Sequence, residues 1–390
     1  MRVFSASTPR AGPDAMREPS AWGGLGKRFV PPLAAFAIAR MVVQAAGASA
    51  DPSSWVAEAW AKWDSGLYID IAKRGYELVP CPGEMGELCG NAGWMPGFPW
   101  LMRPFIAIGL DPALAGAALA AAFAVAFLLA IWIGWLGEDL SASSLGALVV
   151  VALAPGAVYQ HAVFPISMLL FLLALHGALA ARDRWPGACL TGIAAALTYT
   201  TGFLVGAADV VAAPVRGNWP TRVKVRIALG VAAAAGFAAV LVLHQVQLGR
   251  WDAMFLVHGT GRWRPGLHSP IATLAAFLQL VESPDPEYRA IGFQILSSLA
   301  FVVLALVGAL ASIRSRGPTL DRFAAAVALV FLLVPLSLGT DVSPVRAEAL
   351  LAPAGVLLRW LPRWVIAGWL VVAVWTAWGS AAVFFQGHLV

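Results

Sequence analysis

The chain has 390 residues, of which 60% are hydrophobic and only 12% are charged. Soluble domains carry about 25% charged residues, so this composition excludes a soluble globular protein and indicates an integral membrane protein. The formal net charge of +5 does not indicate nucleic-acid binding, because the basic residues cluster in short loops between apolar segments, as the positive-inside rule describes.

The amino-terminal segment is predicted to be disordered. Residues 1–27 lack the apolar core of a cleavable signal peptide and predict a disordered cytoplasmic segment. The first apolar segment starts at Phe29 and is expected to act as an uncleaved signal anchor. Residues 28–390 are then predicted to form a single transmembrane domain.

The apolar segments predict an all-α, polytopic membrane protein with about eleven transmembrane helices. A hydrocarbon core of about 30 Å needs roughly 20 apolar residues per helical crossing. The predicted spans are 28–48, 112–136, 143–159, 165–181, 186–200, 201–215, 227–248, 290–312, 322–339, 347–360 and 363–385. The stretch 186–215 is the weakest of these, because helices of about 15 residues are short for a crossing. It forms two short helices that meet near 198–202, or a re-entrant pair.

The basic loops set the orientation. They share one side with the basic tail, and the positive-inside rule makes that side the cytoplasm. Their residues are Arg182, Arg184, Arg216, Arg222, Lys224, Arg226, Arg314, Arg316, Arg322, Arg359 and Arg363. The other side receives two long loops, 49–111 and 249–289. The compact loops and the absence of lumenal retention signals favour a bacterial plasma membrane.

The first long loop contains a segment with mixed polar and aromatic residues, WAKWDSGLYIDIAKRGY. Trp60, Trp63, Leu67 and Ile71 recur at helical spacing with charged residues between them. This pattern predicts an amphipathic helix that lies in the membrane interface.

Two cysteines, Cys81 and Cys89, lie in the same loop. In an oxidising extracytoplasmic compartment they are candidates for a disulfide. The alternative is a pair of unbonded thiols.

The run WDSGLYIDIAKRGY, from Trp63 to Tyr76, resembles the WD…IA..GY signature in the first lumenal loop of GPI mannosyltransferase II (PIG-V-like) proteins, which are GT-C polytopic glycosyltransferases. The segment NAGWMPGFPWLMR and the element SPVRAEALLAP, which contains Arg346, are similar to later parts of that family. The similarity extends from about residue 55 to 355. The chain departs from the family at Tyr199, where many members have arginine, and at Ala347, where they have an aromatic residue.

The resemblance implies a GT-C fold and a reaction on the extracytoplasmic face. The donor would be a polyprenyl-phosphate sugar, with mannose expected, and the transfer would invert the anomeric centre. The acceptor would be a glycolipid, a glycan or a protein, and the donor chain would enter the site sideways from the bilayer.

Such a reaction needs a base for the acceptor hydroxyl and cationic stabilisation of the departing phosphate. Asp64 is the candidate base. Its competing interpretations are a helix N-cap or a solvated interfacial charge. Asp70 is the rival carboxylate, and on a continuous helix it would point about 120° away from Asp64.

Arginine suits the phosphate, because its guanidinium can make bidentate contacts. Arg346 is the first candidate, and its alternative is a structural pair with Asp341 or Glu348. Arg262 and Arg264 are further candidates for the phosphate. Trp63, Tyr68 and His258 are predicted to bind substrate. A donor with one phosphate can be neutralised by arginine, so no metal or other cofactor is expected.

Two other functional classes stay open. In a transporter, the broken stretch 186–215 would form a substrate site, although the predicted spans hold few ionisable residues. A non-catalytic membrane subunit related to GT-C enzymes is the third possibility.

Overall fold

The computed structural model describes residues 21–81, 87–213, 219–259, 266–339 and 344–388. These residues are predominantly helical, as predicted. The α-helices in chain order are α1 (Ala21–Ala50), α2 (Ser65–Arg74), α3 (Gly97–Ala107), α4 (Pro112–Gly134), α5 (Ala142–Ala152), α6 (Ile166–Ala181), α7 (Trp185–Thr198), α8 (Val205–Val211), α9 (Trp219–Leu248), α10 (Ala253–His258), α11 (Pro270–Gln279), α12 (Pro286–Arg314), α13 (Thr319–Ser337), α14 (Pro344–Glu348) and α15 (Arg363–Phe385).

Helix α1 begins inside the segment 1–27 that was predicted as a tail. Residues 1–20 of that segment lie outside the described residues.

Six helices in the described ranges are long and apolar enough to cross a membrane. They are Gly24–Ala50, Pro112–Gly134, Val223–Leu248, Pro286–Arg314, Thr319–Ser337 and Arg363–Phe385. This supports an integral membrane protein, but it does not confirm about eleven spans. The other predicted spans correspond to shorter elements: α5, α6, α7, α8, and α14 with the 3₁₀ helix Ala349–Trp360.

The centre of the bundle consists of these shorter elements. Residues 349–358 of the 3₁₀ helix are buried, and the helix packs against α5, α12 and α13. Pro353 lies within it and lacks the N–H that a regular α-helix would use. Close packing against α12 depends on Gly308, where an added Cβ would lie 2.2 Å from the Leu357 carbonyl oxygen.

The stretch 186–215 contains two short helices. Helix α7 ends at Thr198, a 3₁₀ turn covers Gly202–Leu204, and α8 begins at Val205. The break therefore falls where the sequence predicted that two short helices would meet.

Buried ion pairs and hydrogen bonds connect separate helices of the bundle. Asp209 on α8 accepts a hydrogen bond from His176 Nε2 on α6, at 2.6 Å, and pairs with Arg226 on α9. Asp321 on α13 similarly contacts Ser312, Arg359 and Trp360. These contacts neutralise carboxylates that would otherwise be costly to bury.

The first long loop departs from the predicted continuous interfacial helix. Trp60 ends a separate 3₁₀ helix, Ala57–Trp60, and α2 begins only at Ser65. After α2, strands β1 (Leu78–Pro80) and β2 (Leu88–Gly90) pair antiparallel, with Val79 opposite Cys89. A disulfide joins Cys81 to Cys89, so the structure contains the first of the two alternatives for these cysteines.

Replacing Gly308 with alanine tests the tight contact between α12 and the 3₁₀ helix. The new methyl group would overlap the Leu357 carbonyl, and overpacking of this kind costs roughly 1–3 kcal/mol. We expect a lower thermal unfolding midpoint for the purified protein. Gly368→Ala is the matched control, since a Cβ there meets no atom within 4 Å. An equal effect of both substitutions would contradict the packing described here.

Candidate functional site

The backbone at the start of α2 directs the Asp64 side chain away from the helix. Trp63 has a φ of 45°, a left-handed conformation that few residues other than glycine adopt. The Asp64 carbonyl accepts the Tyr68 N–H at 3.2 Å, the first turn of the helix. The Asp64 side chain makes no capping hydrogen bond. The carboxylate therefore occupies an N-cap position without performing the N-cap function.

The Asp64 carboxylate instead forms an ion pair with Arg346 of α14, through Oδ2 and one terminal guanidinium nitrogen. The two side chains are 20% and 9% exposed. No hydrogen bond to Asp64 Oδ1 is found among the described residues. The structural alternative for Arg346 was a pair with Asp341 or Glu348. Its partner in the structure is Asp64, and Asp341 lies outside the described residues.

Arg346 keeps part of its hydrogen-bonding capacity unused. Its Nε is buried and has no hydrogen-bond partner in the described part of the chain. The guanidinium lies over the ring of Phe164, 5.6 Å from the ring centroid, which favours a cation. A second anion could therefore bind Arg346 while the pair with Asp64 stays in place.

Tyrosines surround the ion pair. Tyr68, Tyr159 and Tyr199 all lie within electrostatic range of both Asp64 and Arg346. Burial, followed by the nearby Tyr199 and Asp64, raises the pKa of Tyr68 well above its usual value. Its hydroxyl therefore stays protonated at neutral pH and can donate a hydrogen bond.

Aromatic rings from α15 support the segment before Asp64. The Trp63 ring meets Phe384 edge-on, with centroids 5.1 Å apart, and Trp60 meets Phe385 at 4.8 Å. Tyr159 also contacts Phe384, at 5.7 Å. The C-terminal end of α15 therefore supports the position of Trp63, and with it that of the Asp64 backbone.

The structure brings together four of the residues that the sequence singled out: Asp64, Trp63, Tyr68 and Arg346. His258 makes a different contact, since its Nε2 hydrogen-bonds the Gly93 carbonyl at 2.9 Å and its ring packs against Trp94. That nitrogen is therefore not available for an acceptor hydroxyl in this structure.

The other predicted residues do not join this site in the described structure. Arg262 and Arg264 lie outside the described residues. Asp70 is exposed and pairs with Arg74 at 3.2 Å.

A second polar group lies near the site, and its arginine, Arg40, was not predicted. The Arg40 guanidinium of α1 lies 3.6 Å from the Trp60 ring centroid, and the His161 ring is 5.3 Å from Phe36. His161 is buried, and both ring nitrogens have no partner among the described residues. A lone arginine within the first predicted span is the sequence signal that could have indicated this group.

Comparison with known proteins gives limited information. No protein-family model matches the chain, and no curated protein matches it. Among solved structures, it is similar to the crystal structure of the Archaeoglobus fulgidus oligosaccharyltransferase in complex with zinc and sulfate. The TM-score is 0.46 at 12% identity, over 90% of this chain and 53% of that one. The chain thus spans about half the length of that protein, and a likeness of this degree says nothing about activity or substrate.

Asp64→Asn tests the energetic role of the ion pair. The substitution leaves the buried Arg346 guanidinium without a counter-charge, which we expect to cost about 2–3 kcal/mol of stability. The double variant Asp64→Asn with Arg346→Gln should recover part of this loss, because both charges are then removed. Thermal unfolding of the purified protein measures both effects. Asp70→Asn is the exposed control and should change stability little; a loss as large as that of Asp64→Asn would contradict this assignment.

His161 should make stability sensitive to acid. Burial, with Arg40 as a smaller contribution, lowers the pKa of His161 to about 3, whereas the unfolded value is about 6.5. The unfolded state therefore takes up a proton first, and stability decreases as the pH falls from about 6.5 towards 3. We expect His161→Gln to remove roughly 2–3 kcal/mol of this loss between about pH 6.5 and pH 4.5. Parallel unfolding curves for the two proteins over that range would refute it.

Proposed function

We propose that the protein is an inverting glycosyltransferase of the GT-C type. It moves a sugar, with mannose as the first expectation, from a polyprenyl-phosphate donor to an acceptor hydroxyl on the extracytoplasmic face. The observation that carries the proposal is the Asp64 carboxylate: it is held by Arg346 through one oxygen, while the other makes no hydrogen bond in the described structure.

In the proposed step, the acceptor oxygen attacks the anomeric carbon of the donor sugar. Its proton passes to Asp64, and the bond between the anomeric carbon and the phosphate oxygen breaks. The electron pair of that bond leaves with the polyprenyl phosphate. The attack comes from the face opposite to the leaving group, so the configuration inverts. A phosphate is a weak base, and therefore no general acid is needed.

Arg346 can contact both the base, Asp64, and the phosphate of the donor. One terminal nitrogen orients Asp64, and Nε has no partner. The donor phosphate carries one negative charge and gains a second as the sugar departs. The attraction to a fixed guanidinium therefore increases toward the transition state, which is the condition for a catalytic rather than a merely binding contact.

Tyr68 fits a role in sugar binding. Its hydroxyl stays protonated because the side chain is buried, and its ring is fixed edge-on by Phe98 and Phe164, at 6.4 and 6.2 Å. A rigid phenol can donate to a sugar oxygen at low entropic cost.

An apolar cleft beside α14 offers a surface for the carrier chain. It is lined by residues of α11 to α14, including Ala347 and Glu348 next to Arg346. The cleft has a volume of only about 20 Å³, room for about one water molecule. The proposal therefore requires α11 to move outward when an isoprenoid chain enters.

Transfer assays on the purified protein test the proposal. The assay uses labelled polyprenyl-phosphate mannose, membrane lipid extract as the acceptor source, and product analysis. We expect Asp64→Asn to lower the transfer rate by a factor of about 10²–10⁴, the contribution of a general base. Asp70→Asn is the matched carboxylate control and should retain activity.

Arg346→Lys distinguishes phosphate contact from simple pairing. Lysine keeps the charge but loses the planar fork that can meet two anions at once, so we expect slower transfer with assembly preserved. Full activity of Asp64→Asn in a folded protein would reject the enzyme and favour a transporter or a non-catalytic subunit. Activity with polyprenyl-phosphate glucose but not with polyprenyl-phosphate mannose would contradict mannose as the transferred sugar and leave the rest of the proposal unchanged.

A further inference from the structure

A second groove lies between α12 and α15, apart from the residues that surround Asp64. Its volume is about 250 Å³. The lining residues are Pro286, Arg289, Ala290, Phe293 and Gln294 of α12, with Trp375, Thr376, Gly379, Ser380 and Val383 of α15. The groove lies at the same end of the bundle as the candidate site, because Val383 immediately precedes Phe384, which packs on Trp63.

The mouth of the groove carries a cation without a counter-ion. Arg289 is exposed and forms no ion pair with any described residue. It directly precedes the predicted span 290–312, so it lies at the depth where phospholipid phosphates are found. An arginine at this depth attracts anionic lipid headgroups.

The charges near Arg289 leave it available for an anion. Glu287, two residues earlier, contacts His388 at 3.0 Å. Asp285 caps the helix by accepting the Glu287 N–H at 2.8 Å. Neither carboxylate pairs with Arg289 among the described residues, and the positive end of the α12 dipole adds to the attraction.

The interior of the groove combines polar walls with an aromatic floor. Phe293 and Trp375 meet edge-on with centroids 5.7 Å apart. Gln294 is 3% exposed, and its amide lies beside the buried Glu348 carboxyl group, so it closes the inner side of the groove. Hydroxyls of Thr376 and Ser380 line the opposite wall. Such a site suits a polar group of a few atoms attached to an apolar chain.

We propose that this groove binds the glycerophosphate headgroup of an anionic phospholipid. The phosphate contacts Arg289, and the Thr376 and Ser380 hydroxyls donate to carbonyls of their own helix, so their oxygens are left to accept hydrogen bonds from the glycerol hydroxyls. The acyl chains run along the exposed face of α15. That face includes Val371, Trp375 and Trp378, which are 71%, 58% and 42% exposed. The groove shares no lining residue with the Asp64 and Arg346 pair, so its occupant is distinct from the proposed sugar donor.

Lipid binding in the groove can affect the candidate site through packing contacts. Val383 lines the groove, and the next two residues, Phe384 and Phe385, hold Trp63 and Trp60. A lipid that restrains the C-terminal end of α15 would therefore also restrain the turn that precedes Asp64. The binding itself does not depend on the proposed transferase activity.

Native mass spectrometry of the full chain tests the proposal. The protein is reconstituted in nanodiscs of equimolar phosphatidylglycerol and phosphatidylcholine, re-extracted with mild detergent, and its retained lipid is identified. We expect one retained phosphatidylglycerol, preferred over phosphatidylcholine by about fivefold, as roughly 1 kcal/mol per arginine implies. Arg289→Gln should abolish the preference, and Arg289→Lys should keep most of it. Arg250→Gln is the control, since Arg250 is already paired with Asp252.

Gly379→Phe tests the groove independently of charge. A Cβ at Gly379 meets no atom within 4 Å, so the added side chain starts in open space at the groove, and lipid retention should be lost. Gly368→Phe on the same helix also points into open space, and Gly368 is not a lining residue. This control should retain lipid like the unmodified chain.

The source of the phosphate is tested with small anions. Inorganic phosphate and glycerol 3-phosphate, added during extraction, should not displace the lipid, because they lack the acyl chains. Displacement by inorganic phosphate would identify a free-anion site and overturn the lipid proposal. Equal retention of both lipids by the unmodified chain, or equal retention by Gly379→Phe and Gly368→Phe, would overturn it as well.

Discussion

The ion pair between Asp64 and Arg346 is the constraint on which the candidate site depends. The two residues are 282 positions apart in sequence, and both are largely removed from water. In a low-dielectric interior, either charge alone would be costly. Pairing makes both charges tolerable, and it ties the first long loop to α14. The tyrosines and Phe164 then form a fixed polar and aromatic environment around one carboxylate oxygen that makes no hydrogen bond in the described structure.

The interior of the bundle explains how such a site can exist in a membrane protein. The long helices can meet lipid because all their backbone groups are bonded internally. The irregular backbone of the 3₁₀ helix Ala349–Trp360, in contrast, is buried in protein over residues 349–358. Asp209 and Asp321 are neutralised by partners from other helices. Polar networks thus connect separate helices of the bundle.

The C-terminal end of α15 connects the two regions for which ligands are proposed. One of its faces lines the groove at Arg289, and the aromatic pair Phe384 and Phe385 supports the turn before Asp64. Edge-on aromatic contacts fix α15 and this turn relative to each other through packing rather than through charge. An occupant of the groove, as proposed above, would therefore affect the geometry at Asp64 through this packing.

The amino-acid sequence by itself determined the class of the protein, its long spans, and the segment that presents Asp64. Hydropathy and helical periodicity are local properties, so α1, α4, α12, α13 and α15 follow from them, as does the break near 198–202. The turn before α2 could not be predicted in this way. The spacing of the aromatic residues predicts one continuous helix, whereas the positive φ of Trp63 separates Trp60 from α2.

Only the tertiary structure decided which side chains meet. The partner of Arg346, the contact of Arg40 with Trp60, and the burial of α5 to α8 all depend on chain segments far apart in sequence. A short apolar helix has the same composition whether it crosses a bilayer or packs inside a bundle, so hydropathy alone predicted about eleven spans where six described helices have the length to cross. Charge pairing likewise has no local signature, because the energy that brings two distant ions together comes from their common burial.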